Sequence, residues 1–162
     1  MEGRQGGFSL VELMVVAAII LILGSVAVPS LVSALPGYRL RSSARQLCGH
    51  LRQARARAVR NNQKIFVRFN TSARRYTIDT IGSFSLPEGI SFGRGRATKP
   101  AGTKFPADGI SFNGNSIAFN PRGIISSNSG YIYLQNQEQD TCAVGTTTAG
   151  NIVLKCWHGS WK

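Results

Sequence analysis

The sequence predicts an α+β fold, with a long and partly transmembrane N-terminal helix followed by an antiparallel β-sandwich-like head. Three observations carry that expectation. A nearly uninterrupted apolar run opens the chain, from Phe8 to Val28. A stretch from Tyr38 to Arg60 then places apolar residues at alternating spacings of four and three. From Gln63 onward the period falls to two, and clusters of Gly, Asn and Pro punctuate short runs. A long helix followed only by strands is the α+β plan.

The apolar run holds one charge, Glu12, within Phe8-Ser9-Leu10-Val11-Glu12-Leu13. At ~1.5 Å per residue, the roughly 21 residues from Phe8 to Val28 reach ~31 Å, the thickness of a bilayer's hydrocarbon core. A carboxylate at that depth costs on the order of 3 kcal/mol, so it belongs where it has a partner and a task. Before the run lies a short polar segment that ends in Gly6-Gly7. An ordinary secretory signal has a basic start, a shorter apolar core and a small-x-small cut, here near Ala27 or Ala34. In this chain Glu2 offsets Arg4, and Glu12 sits inside the core. A plain single-span anchor explains the length but neither the Gly7-Phe8 junction nor Glu12.

The segment Gly7-Phe8-Ser9-Leu10-Val11-Glu12 resembles the processing site of type IV prepilins and type II secretion pseudopilins. The resemblance implies that residues 1–7 are a prepilin leader, removed by a prepilin peptidase that cuts after Gly7. It also implies N-methylation of the new first residue, Phe8, and a type IV pilin fold in which residues 8–28 form the transmembrane and assembly helix. Glu12 takes the place of the family's assembly glutamate, and a proline at the position of Pro29 is usual in pilins. Cleavage unmasks an α-ammonium on Phe8, which Glu12 of an adjacent subunit is placed to neutralise. In low-dielectric surroundings such a pair is worth far more than at a surface, and an unpaired charge is costly.

Topology pulls two ways. Only Arg4 precedes the span, whereas Arg39, Arg41 and Arg45 follow it, and the positive-inside rule then favours a cytoplasmic C-terminal side. The resemblance implies the reverse, a single-pass inner-membrane protein with a periplasmic head. The processing motif takes precedence, because it depends on a peptidase site facing the cytoplasm.

The 162 residues carry a net charge of +12. Leader and span aside, about 130 residues remain, enough for one modest domain with its own core. No acidic residue occurs between Leu13 and Ile78, while arginines and one lysine recur from Arg39 to Arg75. An imbalance of this size suggests an anionic partner, whether DNA, lipid headgroups or an acidic protein patch. Pro29 and Pro36-Gly37 are expected to kink or briefly break the first helix, so residues 29–62 read as a kinked helical continuation packing on a β-rich head of residues 63–162. Its stripe of Leu40, Ala44, Leu47, Leu51, Ala54 and Ala58 should lie on a sheet, each leucine contributing ~1.5–3 kcal/mol on full burial. Arg41, Arg45 and Arg52 project to one flank of that stripe, Arg39 and Arg57 to the other. Asn61-Asn62 ends the helix.

Lys64 to Phe69 and Arg74 to Asp79 read as a hairpin about Asn70-Thr71-Ser72-Ala73. Further strands are expected at Ile90–Phe92, Ile110–Phe112, Ser116–Phe119, Tyr131–Gln135 and Asn151–Trp157. Three local patterns resemble the GspH/FimT-type minor pilins and pseudopilins. These are Ala54-Arg55-Ala56-Arg57-Ala58-Val59 before Arg60-Asn61-Asn62, then Ile117-Ala118-Phe119-Asn120-Pro121-Arg122-Gly123, and the closing Asn151-Ile152-Val153-Leu154. The likeness implies a structural subunit of a type IV pilus or type II secretion pseudopilus, whose partners are other pilins in a filament.

Some members of that family instead bind double-stranded DNA for natural competence, through a Gly-Arg-x-Arg motif in the C-terminal tail. The tail here, Leu154 to Lys162, has no arginine, and a literal Gly93-Arg94-Gly95-Arg96 stands mid-chain. Arg94, Arg96, Lys99 and Lys104 are therefore the candidate DNA contacts, against the alternative of a solvated basic loop. Six neutralised phosphates would give a salt slope of about −5 in log affinity. Trp157 and Trp161 are candidates for stacking on bases, or for edge and core packing.

Cys142 and Cys156 frame a loop rich in Gly and Thr and are a candidate disulfide worth about 3 kcal/mol. Cys48 lies at the margin of the helix stripe and reads as a buried free thiol. His50 and His158 are isolated and no C-x-x-C occurs, so no metal site or cofactor is expected. Without a catalytic constellation or nucleotide-binding motif, the chain reads as a substrate of the peptidase rather than as an enzyme.

Overall fold

The computed structural model describes residues 9–126 and 129–162. The described residues fall into two compact units, divided between Leu35 and Pro36. One helix, α1, spans Leu10–Arg60. The expected break is not found, since α1 continues through both Pro29 and Pro36. A proline removes one hydrogen bond and crowds the preceding turn, but here strong helix formers such as Leu31, Ala34, Leu35 and Leu40 surround it and offset that local penalty.

The C-terminus of α1 shows why two asparagines stop it. Asn62 adopts φ 50°, the left-handed conformation that asparagine tolerates better than most residues. The Gln63 N–H then reaches back to the Ala58 carbonyl at 3.2 Å, and the Asn62 N–H to that of Val59 at 3.3 Å. This is the Schellman arrangement, which satisfies carbonyls that a helix end otherwise leaves open.

Two four-stranded antiparallel sheets complete the head. In the first, β1 (Ile65–Asn70), β2 (Arg75–Ile78), β3 (Gly82–Ser85) and β5 (Ser116–Phe119) lie in the order β3-β2-β1-β5. In the second, β4 (Ser91–Phe92), β6 (Gly130–Gln135), β7 (Thr141–Thr146) and β8 (Ile152–Cys156) lie in the order β4-β6-β7-β8. The expected hairpin is present, with Val67 opposite Ile78 and Asn70 opposite Arg75. Asn70 closes its turn by accepting the Ala73 N–H through Oδ1 at 2.8 Å. The expected strand at Ile110–Phe112 reduces to one bridge, Ile110 to Ile132. β3 and β7 were not foreseen.

The predicted stripe is the spine of the core. Leu47, Leu51, Ala44, Ala54 and Ala58 have no solvent exposure, and Leu40 has almost none. They join the inner faces of both sheets in one cluster, with Ile65, Val67 and Ile117 from the first and Ile132, Leu134 and Val144 from the second. Phe69 and Phe92 meet edge-on across the sheets at 6.1 Å between ring centres. Such aromatic contacts add to the area they bury.

Candidate assembly site and basic surfaces

At the N-terminal end of α1 the Leu13 N–H donates to the Ser9 carbonyl at 3.2 Å, closing the first turn. Glu12 lies in that turn and is exposed. A carboxylate here is favoured by the positive end of the helix dipole. Around it Leu10, Val11, Leu13 and Met14 are also exposed, and so are Leu31 and Val32 further along the helix. This part of α1 is long and apolar enough to cross a membrane, and none of its most apolar window is buried within the chain. Gly7 and Phe8, the expected cleavage and methylation positions, lie outside the described residues. What the structure adds is an apolar helical surface with no charged residue from Leu13 to Tyr38 and a single acid at its start.

The basic loop has a structural occupation. Residues 93–109 lie over the outer face of the second sheet, where Tyr133 is fully buried. The Tyr133 hydroxyl accepts the Ala101 N–H at 3.0 Å and donates to the Lys104 carbonyl at 3.2 Å. Burial pushes its phenol pKa up, which keeps the donating proton in place. Arg96 donates to the Glu138 carbonyl and stands 3.5 Å from the Asp140 carboxylate. The Arg94 guanidinium lies 5.0 Å from the centre of the Phe105 ring. Lys104 donates to Asn113 Oδ1 at 3.3 Å, and the Lys99 carbonyl accepts the Trp161 indole N–H at 2.8 Å. Arg94, Arg96, Lys99 and Lys104 thus share one loop and all four are exposed, Arg96 and Lys104 with side-chain hydrogen bonds and Lys99 linked through its backbone carbonyl.

Cys142 and Cys156 are bonded. They stand directly opposite each other on β7 and β8, so the bridge crosses neighbouring strands. Beyond it the chain turns back on itself, with the Lys162 carbonyl accepting the Cys156 N–H at 2.8 Å and Trp157 bridging Trp161. Trp161 packs 5.7 Å from Tyr133 and 5.2 Å from Trp157, which gives both tryptophans the packing use. Cys48 is a buried free thiol.

The two histidines meet partners that spacing did not reveal. His50 Nδ1 lies 2.7 Å from the Tyr76 hydroxyl. Arg41 donates to His158 Nε2 at 2.9 Å, beside a cleft of about 230 Å³ lined by Leu40, Asp140, the disulfide and Trp157. On the helix, Arg55 donates to the Gly123 carbonyl at 3.0 Å and Arg57 to the Thr80 carbonyl at 2.5 Å, whereas Arg45, Arg52 and Arg60 are exposed. No sequence signal marks these pairings, because each joins residues distant along the chain.

A helix with an acid at its apolar start, continued into a head of two antiparallel sheets, defines a pilin-like subunit. The family described as Type II transport protein GspH matches residues 43–154, well over half of the chain, and the prokaryotic N-terminal methylation motif matches residues 3–28. The chain belongs to the GspH family. Among solved structures, the minor pseudopilin EpsH from the Type 2 Secretion System of Vibrio cholerae has a TM-score of 0.53 at 15% identity, covering 73% of this chain and 97% of that one. The type IV minor pilin FimU of Pseudomonas aeruginosa has a TM-score of 0.50 at 14% identity, covering 76% of this chain and 92% of that one. At such identities the likeness establishes the fold. No curated protein sequence matches this chain.

Proposed function

We propose that this chain is a structural minor subunit of a type II secretion pseudopilus or a type IV pilus. A prepilin peptidase cuts after Gly7, the Phe8 amine is methylated, and the apolar part of α1 holds the subunit in the inner membrane with its head in the periplasm. On entry into the filament, Glu12 neutralises the Phe8 ammonium of an adjacent pilin. One observation carries this reading: the methylation motif coincides with an exposed apolar helix whose only charge before Arg39 is Glu12. Nothing in the head requires that coincidence, and an ordinary anchor would be more stable without the acid.

The test is the mass of the native chain together with the fate of Glu12→Leu. The mature polypeptide is expected to begin at Phe8 with one added methyl group. The Glu12→Leu chain is expected to be processed normally and to remain in the membrane, absent from sheared filaments or from pseudopilin cross-links. A chain that keeps Met1 to Gly7, or that is cut at a much later bond, would overturn the proposal.

A further inference from the structure

Opposite its buried stripe, the head's part of α1 turns a second face to solvent. Ser42, Arg45, Gly49, Arg52, Ala56 and Val59 are all exposed and recur at threes and fours, the spacing of one helical face. At its C-terminal end Arg52, Arg55 and Arg60 rim an open groove of about 450 Å³ floored by Ala56 and Val59. Arg55 is already held in place by the Gly123 carbonyl. Val59 leaves half of its surface in water, and Ile124 in the same turn as Gly123 is also exposed. Among the described residues the ion pairs are Arg68–Asp79 and Arg96–Asp140, and neither is on this face.

From this arrangement we infer that the arginine face of α1 is a docking surface for a carboxylate-bearing helix of a different subunit. The inference rests on the filament reading above and adds the chemistry of the neighbour. A guanidinium fork matches a carboxylate with two parallel hydrogen bonds, and Arg45, Arg52 and Arg60 repeat along the face as acids at helical spacing would. Ala56, Gly49 and Val59 supply the small and apolar contact that two helices need at 8–10 Å between axes. A phosphate polymer has no use for that apolar floor. A second copy cannot meet it face to face, because α1 has no acidic residue after Glu12 and two such faces would bring arginine against arginine. The chain is thereby built to stand beside a different subunit, not to stack on itself through this face.

The experiment uses the full chain in its native membrane, with a photo-cross-linking phenylalanine analogue in place of Ala56. The expected adduct joins a different pilin-like subunit, and its cross-linked peptide carries Asp or Glu at spacings of three or four. Arg45→Glu, Arg52→Glu and Arg60→Glu together should lower the adduct yield roughly tenfold or more. Lysine at the same three positions keeps the charge but not the fork, so the yield should fall between those of the arginine and glutamate chains, and reversing the partner's acids to lysine should restore it in the glutamate variant. Resistance of the head to limited proteolysis checks that each variant is folded. An adduct with a second copy, an adduct removed by nuclease, or a yield indifferent to charge reversal would overturn the inference. The same analogue in place of Val16 reports filament entry. Contacts retained from Val16 with no acidic partner at Ala56 sink this inference alone, while loss of both together with absent processing sinks the functional reading as well.

Discussion

His50 places a titratable ring against an aromatic surface, with Phe84 4.0 Å from its centre and the Tyr76 hydroxyl 2.7 Å from Nδ1. Burial pushes the Tyr76 phenol up, so the hydroxyl keeps its proton and is able to donate it. With the hydroxyl donating, His50 Nδ1 accepts and the ring proton sits on Nε2. Burial also lowers the His50 pKa from its ordinary value of 6.5. The folded state therefore binds fewer protons than the unfolded state in the window below that value. Stability is fully present above the unfolded pKa and is lost as pH falls toward the folded one. Urea unfolding of the detergent-solubilised chain should show a lower midpoint at pH 5 than at pH 7.5. His50→Gln should flatten that slope, and an unchanged slope would remove His50 as its source. Tyr76→Phe should cost about 1 kcal/mol at neutral pH, the usual net loss for one hydrogen bond.

At the scale of elements, the helix stripe was the most legible part of the chain. Leu40, Ala44, Leu47, Leu51, Ala54 and Ala58 could be read from spacing because one face alone of that helix meets the core. Leu51→Ala should therefore destabilise the head by about 2–5 kcal/mol in urea melts, whereas Gln53→Ala on the exposed face should change little. β1 and β2 were legible for the same reason, since buried Ile65, Val67 and Phe69 alternate with more exposed neighbours. β7 was not, because all of Thr141–Thr146 is buried and no polar face remains to mark a period of two. The core covers one side of it, and Tyr131 presses on the other, where a side chain in place of Gly145 would overlap the Tyr131 ring. β3 failed in the opposite way. It is a short edge strand, Gly-Ser-Phe-Ser, in which only Phe84 is partly buried. The expected helix break failed because proline sets a local penalty, while the turns around it decide whether the helix survives. In the assembly segment, Glu12 was legible as a charge in an apolar run. The contacts of Arg94 with Phe105 and of Arg96 with Glu138 and Asp140 were not, because those partners enter only through the fold.

For the molecule as a whole, the end of the chain governs how firmly the outer layer of the second sheet is held. β8 is an edge strand with intermediate exposure along its length, paired only to β7. It carries the turn whose Trp161 indole holds the Lys99 carbonyl and packs on Tyr133. The Cys142–Cys156 bridge joins residues 14 apart, a loop short enough to be worth about 3 kcal/mol through the entropy of the unfolded chain. Reduction should therefore do more than lower the global midpoint. Amide exchange should accelerate first in Ile152–Cys156 and in the loop that contains Lys99, Ala101 and Lys104, before it does in β1 or β2. Cys142→Ser with Cys156→Ser should reproduce that order without reductant, and Cys48, buried on the helix, should stay protected in both. If exchange instead rose evenly across both sheets, the head would unfold as one unit. The disulfide would then act on the whole core, and the loop of residues 93–109 would not depend on the C-terminal turn for its order.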